Sequence, residues 1–286
     1  MSIKKKFSAG RALVYTVLSL WALTTIYPFV WVLLNSFKQN RYIRARTFAL
    51  PLGELFTLDN YRTAFARVDI LGAYRTSLVI SLCVTAAVVL LAGLAAYGMA
   101  RWRFRGRRLL QGLIVASMMF PVFSTIIPVF RMLHGWGLVN FESLPLSMLC
   151  VILPQIAGNL SFAIVVLMGY IRSIPIELEE AAYLEGYNVF QIFRRVVFPL
   201  ARPSFATVAI FTFLWSYNDL FTQEFFLRNK RTYSITRLLE EISSQAGVNY
   251  GLMVAAVVLV VLPVLVVYVL LQKNIIKGMT VGAVKG

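Results

Sequence analysis

Apolar residues fall into six long runs along this chain, at about 12–36, 77–100, 109–131, 145–170, 204–222 and 251–272, and between them the sequence turns polar and basic. A helix needs about 20 apolar residues to cross a hydrocarbon core, and each run has roughly that length. The pattern predicts an all-α, polytopic membrane protein, a single domain over residues 1–286 with six transmembrane helices. An even number of spans leaves both termini on one side. Placing that side in the cytoplasm puts 16 of the 28 Lys and Arg inside, a modest bias. The run Arg101, Arg103, Arg105, Arg107 and Arg108 weighs most, because it occupies a very short loop, where the positive-inside rule holds best.

Pro28, Pro121, Pro128, Pro154 and Pro263 interrupt several runs and free backbone carbonyls, so kinked spans lining a cavity are expected. Ala92, Ala96 and Ala100 put small residues on one face of the second span, as close helix packing requires. The first run follows Lys4, Lys5, Lys6 and Arg11 and exceeds a signal-peptide core, so it reads as a retained anchor, with no soluble domain expected at either end.

One charged island stands apart, residues 171–203. Pro175 suits a first helical turn, and Glu177, Glu179 and Glu180 favour the positive end of the helix dipole. Gly186 can take the left-handed conformation that ends such a helix, and Asn188 with Gln191 has capping-box spacing for a second one. Val189, Ile192, Phe193, Val196 and Leu200 would form its apolar face, with Pro199 and Pro203 expected to interrupt before the next span.

The spacing Glu180-Ala181-Ala182, three residues, Gly186, nine residues, Val196, one residue, Phe198-Pro199 resembles the EAA loop of ABC importer permeases, with Val and Phe at its two aliphatic positions. Two more segments resemble sugar permeases: Phe56-Thr57-Leu58-Asp59-Asn60-Tyr61, in a first outer loop long enough to fold over the membrane surface, and Trp215-Ser216-Tyr217-Asn218-Asp219. The ending from Gln272 to Gly286 is similar to that of maltose-type permeases. The resemblance implies a type I ABC importer permease fold in which the island is a cytoplasmic coupling helix docked on an ATPase. Carried over residue by residue, Glu180 would be the charge contact, Ala181 and Ala182 the close-approach positions, Gly186 the turn, and Pro199 the end of the motif.

The resemblance further implies a second, different permease subunit, two ATPase subunits that bind ATP and magnesium, and an extracytoplasmic solute-binding protein. The cargo would be a sugar or oligosaccharide, with glycerol phosphate or an acidic oligosaccharide as alternatives. Gln155 and Asn159, four apart and so on one helical face, and Asn218, near the outer end of the fifth span, are candidates for the translocation path. Interhelical bonding explains the first two equally well, and an interfacial anchor explains the third.

Composition narrows the rivals. Mean hydropathy is +0.75 with 59% hydrophobic residues, so the net charge of +16, sitting in interspan loops, reads as membrane topology and not nucleic-acid binding. No P-loop is present, so ATP must be hydrolysed elsewhere. The single His134 lies in a short loop and reads as solvated. Cys83 and Cys150 fall inside apolar runs and are expected to be buried free thiols, with no metal site implied. The interiors of spans one to four and six carry no charge, which disfavours a self-contained secondary transporter or channel, and His, Cys and membrane-depth carboxylates are too scarce for a membrane-embedded enzyme.

Overall fold

The computed structural model describes residues 9–67, 69–140, 142–245 and 249–283, and the regular elements among them are helical, with one isolated antiparallel bridge between Lys38 and Phe56. Two compact units emerge. The first comprises the chain to residue 68 and residues 239–262, and the second comprises residues 69–238 and the chain from 263.

In the first unit, α1 runs from Ala9 to Ser36, and α2 (Asn40–Ala45) and α3 (Asp59–Arg67) lie in the predicted first outer loop. The Phe56–Tyr61 segment clasps the end of α1. Asn60 is buried and its amide donates to the carbonyls of Ser36 and Lys38, both at 2.8 Å, the first of them an orphan acceptor at the helix end. Phe56 stacks on Phe37 at 6.0 Å, and the Tyr61 hydroxyl meets Ser36 Oγ at 2.7 Å. Lys38 is fully buried. Burial pushes its ammonium below the usual lysine range, and the carbonyls of Arg46 and Thr47 hold the charge it keeps.

In the second unit, three helices form the core: α4 (Ile70–Arg101), then, after α5 (Arg107–Ser117) and α6 (Val122–Gly135), α7 (Leu144–Ile171), and, beyond the charged island, the helix ending at Asn218. Val84, Val88, Ala92 and Ala96 of α4 are inaccessible, as are Val151, Ala163 and Leu167 of α7. The small-residue stripe on α4 therefore does lie in a helix contact. It contains a closer approach than the alanines: a Cβ on Gly93 would lie 2.7 Å from Phe205, whose ring is confined by Phe193 and Phe198. Gly93→Ala is expected to lower stability by about 1–3 kcal/mol through overpacking. Thermal unfolding in detergent checks this, and an unchanged midpoint would mean that the ring moves aside.

Among the described residues, four helices are long and apolar enough to cross a membrane: Gly10–Ser36, Ile70–Arg101, Leu144–Ile171 and Val189–Asn218. They match four of the six predicted runs. The run expected at 109–131 is instead a bent pair, α5 and α6, turned by 107° where Met118–Pro121 breaks the helix, since Pro121 has no N–H to continue the ladder. The last run lies on a helix from Tyr250 to Ala283, whose described side chains make only a short apolar stretch to Val266. The backbone through most of the predicted tail is helical, and Val284–Gly286 lie outside the described residues. Cys150 is buried as expected. Cys83 is exposed, because it lies on the face of α4 turned away from the core.

Candidate functional site

The charged island folds as a helical hairpin. Helix α8 spans Glu177–Leu184 with its three glutamates in the first turn. Gly186 comes next at φ +87°, the Gly186 N–H donates to Tyr183 O at 3.0 Å, and the Tyr187 N–H donates to Ala182 O at 3.1 Å. These two bonds around a left-handed glycine make a complete Schellman motif. Asn188 and Gln191 then exchange side-chain and backbone bonds, both 2.9 Å, in the capping box that opens α9 (Val189–Ile192).

Pro199 and Pro203 do not interrupt the helix beyond α9. A wide turn over Phe193–Val197, in which the Phe198 N–H reaches back five residues to Phe193 O, leads without a break into α10 (Phe198–Asn218). Pro199 falls in the first turn of α10, where its missing N–H is tolerated, and the wide turn absorbs the change of register. The hairpin is thereby continuous with a core helix.

A buried charge pair fixes α8 to α4. Arg101 Nε donates to Glu179 Oε1 at 2.7 Å, Tyr97 Oη donates to Glu179 Oε2 at 3.0 Å, and Arg101 Nη2 donates to Ile174 O at 2.9 Å. The two charged side chains are only 11% and 8% exposed. Tyr97 also lies edge-on to Trp102 and tilted against Phe193, so one ring touches both the end of α4 and the wide turn. Ala182, three residues after Glu179 and on the same face, is buried.

The opposite face of α8 is turned outward. Glu180 and Ala181 are exposed, as are Tyr183 at 68% and Leu184 at 87%. The residues singled out from sequence thus separate into two roles: Ala182 and Gly186 build the hairpin, Glu180 and Ala181 lie on its surface, and Pro199 is half-buried inside a continuous helix. From the sequence Glu179 was read only for the helix dipole and Arg101 only for topology, and Tyr97 was not singled out. The available signal was the doublet Glu179-Glu180 on a short helix, since two adjacent positions cannot share a face.

A second polar cluster lies where α10 ends. Asp219 caps the next helix, α11 (Leu220–Phe226), by accepting from the Thr222 N–H at 3.0 Å, and its other oxygen accepts from Gln155 Nε2 at 2.8 Å. Gln155 Oε1 accepts from Ser216 Oγ, and Asn159 Nδ2 donates to Gln155 O at 2.7 Å. Gln155 and Asn159 line one cleft together with Asp219 and Trp215. Asn218 is not among its lining residues: it is exposed and its amide returns to Leu214 O.

A family model described as the binding-protein-dependent transport system inner membrane component matches residues 88–281. The chain is 33% identical to the diacetylchitobiose uptake system permease protein NgcG of Streptomyces coelicolor, over 95% of this chain and 88% of that one. It is also 33% identical to the trehalose transport system permease protein SugB of Mycobacterium tuberculosis, over 91% and 93% of the two chains. Its fold is similar, with a TM-score of 0.78 over 93% of this chain and 98% of the other, to a chain in the crystal structure of a bacterial ABC transporter involved in the import of the acidic polysaccharide alginate. At 22% identity that likeness is one of fold.

Proposed function

We propose a function from one premise: this chain belongs to the family of binding-protein-dependent transport system inner membrane components. It is a multi-pass permease of that family, and in our reading it carries a sugar or oligosaccharide across the cytoplasmic membrane in an ATP-driven importer; the names of two relatives record diacetylchitobiose uptake and trehalose transport for them. We read it as a six-span permease domain whose α8 is the coupling helix, paired with a different permease subunit, two ATPase subunits that bind ATP and magnesium, and an extracytoplasmic solute-binding protein.

The observation that carries this reading is the two-sided construction of α8. One face is fastened by Glu179 to Arg101, while the other presents Glu180, Ala181, Tyr183 and Leu184 with no covering element among the described residues. Exposed apolar residues rimmed by charge mark a protein contact. The Arg101–Glu179 pair also brings the arginine run to the same end of the helices as α8, and on the positive-inside bias we read that end, and both termini, as cytoplasmic.

A hydrated sugar crosses only if a cavity exchanges access, since its hydroxyls cannot stay unpaired in lipid. Nucleotide binding must then bias a two-state element, and a hairpin continuous with α10 and bonded to α4 transmits a push from the ATPase to two core helices at once. Leu184→Cys, in a chain with Cys83 and Cys150 replaced by Ser, is expected to crosslink to a co-expressed ATPase of the same organism in a nucleotide-sensitive manner. A correctly inserted chain that crosslinks to no ATPase would overturn the coupling role and return the self-contained transporter to consideration.

A further inference from the structure

The cleft beside Gln155 has a chemistry that the coupling hairpin does not require. It lies between α5, α6, α7 and the junction of α10 with α11, and its volume of ≈ 580 Å3 falls within the roughly 300–1,000 Å3 of small-molecule sites. Phe123 and Phe221 meet edge-on at 6.2 Å on one wall. Trp215, 45% exposed, is held edge-on by Phe162 at 4.8 Å. The same cleft is lined by Gln155, Asn159 and Asp219.

Rigid aromatic faces beside a few placed amides and one carboxylate suit a ring with apolar C–H faces and hydroxyl edges. The Asn159 amide carries two hydrogens, of which the Gln155 carbonyl takes one, and a carboxylate has about four acceptor sites, of which Asp219 uses two within the chain. Hydroxyls can therefore both accept and donate here.

Charge decides which saccharides fit. Among the described residues lining the cleft, Asp219 is the one ionisable group, and both of its partners, the Gln155 amide and the Thr222 N–H, are neutral. An anionic ligand would meet an uncompensated like charge in a partly dehydrated site, enough to weaken binding by roughly tenfold or more. We propose that this cleft receives an uncharged saccharide and that Asp219 excludes anionic ones, uronates and sugar phosphates alike. The proposal rests on the sugar-permease reading and narrows it.

The test uses the full-length chain co-purified with its partner subunits in nanodiscs, with Cys83 and Cys150 replaced by Ser and a reporter, Ala157→Cys, in the cleft wall. Maleimide labelling of the reporter is monitored with trehalose, lactose or diacetylchitobiose, and with digalacturonate at matched osmolarity and ionic strength. At least one neutral disaccharide should slow labelling, and digalacturonate should require on the order of tenfold higher concentration or more for the same effect. In Asp219→Asn that gap should close, while α11 keeps its cap because Asn caps as well as Asp.

Equal protection by digalacturonate in the chain that retains Asp219 would overturn the charge selection. In a complex that still gives the Leu184→Cys crosslink, labelling that no saccharide slows would mean that the open cleft binds none, and a reporter that never labels would mean that protein fills it; either result overturns the site while leaving the sugar-importer reading intact. Loss of that crosslink as well would overturn the ATP-driven sugar-importer reading, and the site with it.

Discussion

Glu179→Ala is expected to reduce ATP-driven uptake at least roughly fivefold, the lower end of a typical coupling free energy, while the chain still inserts and assembles. The variant leaves the Arg101 guanidinium mostly buried with only the Ile174 carbonyl as a partner, and it strips the Tyr97 hydroxyl of its acceptor. Removing one member of a buried pair costs about 3–5 kcal/mol, because the other charge stays uncompensated. That loss falls on α8 and not on the core. An eight-residue helix has little stability of its own, so it loosens from α4 before α4, α7 and α10 separate.

Two companions separate charge from packing. Glu179→Gln keeps a side chain that can accept from Tyr97 or Arg101 but not the charge, and should fall between wild type and alanine. Arg101→Met combined with Glu179→Leu replaces the pair by apolar groups, an exchange that is often neutral or stabilising. It should restore thermal stability but not the hydrogen-bonded orientation of α8, so melting temperature recovers while ATPase stimulation by cargo stays low. These are read by uptake and ATPase activity in proteoliposomes alongside thermal unfolding. Uptake within twofold of wild type in Glu179→Ala would show that packing alone holds the hairpin.

How much of this could be read from the sequence depends on how local the causes are. The Schellman turn at Gly186 and the capping box at Asn188 and Gln191 are written within a few residues, and both were legible. Apolar runs gave the long helices α1, α4 and α7 to within a turn or so at most ends, but the bend between α5 and α6 depends on where Met118–Pro121 breaks the backbone relative to α7. Pro199 and Pro203 were misjudged because their effect depends on the helical register reaching them, which the wide turn at Phe193–Val197 resets.

Side-chain partners were harder. Arg101 and Glu179 are 78 residues apart, and Gln155 and Asp219 are 64 apart, so neither pair leaves a periodic signal. Choosing Glu180 over Glu179 rested on motif position alone, whereas burial distinguishes them by role: one carboxylate is used inside the chain and its neighbour is left on the surface. The Phe56–Tyr61 segment, noticed only as a likeness, proved to have a plain structural task at the end of α1.

Substitutions at Gly186 should grade transport by backbone preference alone. At φ +87° the residue sits in the left-handed region, and a Cβ built there has no neighbour within 4 Å. A Cβ therefore meets no clash within the chain, and strain there comes from the backbone. Asn, which visits this region with several-fold enrichment, should be nearly tolerated; Ala should be intermediate, with strain of about 1–2 kcal/mol for a left-handed L-residue; β-branched Val should be worst.

That strain acts on the turn joining α8 to α9, and relieving it rotates the outward face of α8 relative to the Glu179 anchor. Uptake and cargo-stimulated ATPase activity should therefore fall in the order Gly, Asn, Ala, Val, with Val losing at least roughly fivefold. Basal ATPase activity and assembly should persist, because the anchor and the capping box on either side are untouched. The expected ordering separates a strained turn from a crowded surface: under steric exclusion by a docked partner, Asn, larger than Ala, would rank below it. Normal stimulation in Gly186→Val with intact assembly would mean that the turn bends without consequence, and the rigid hairpin would no longer explain coupling.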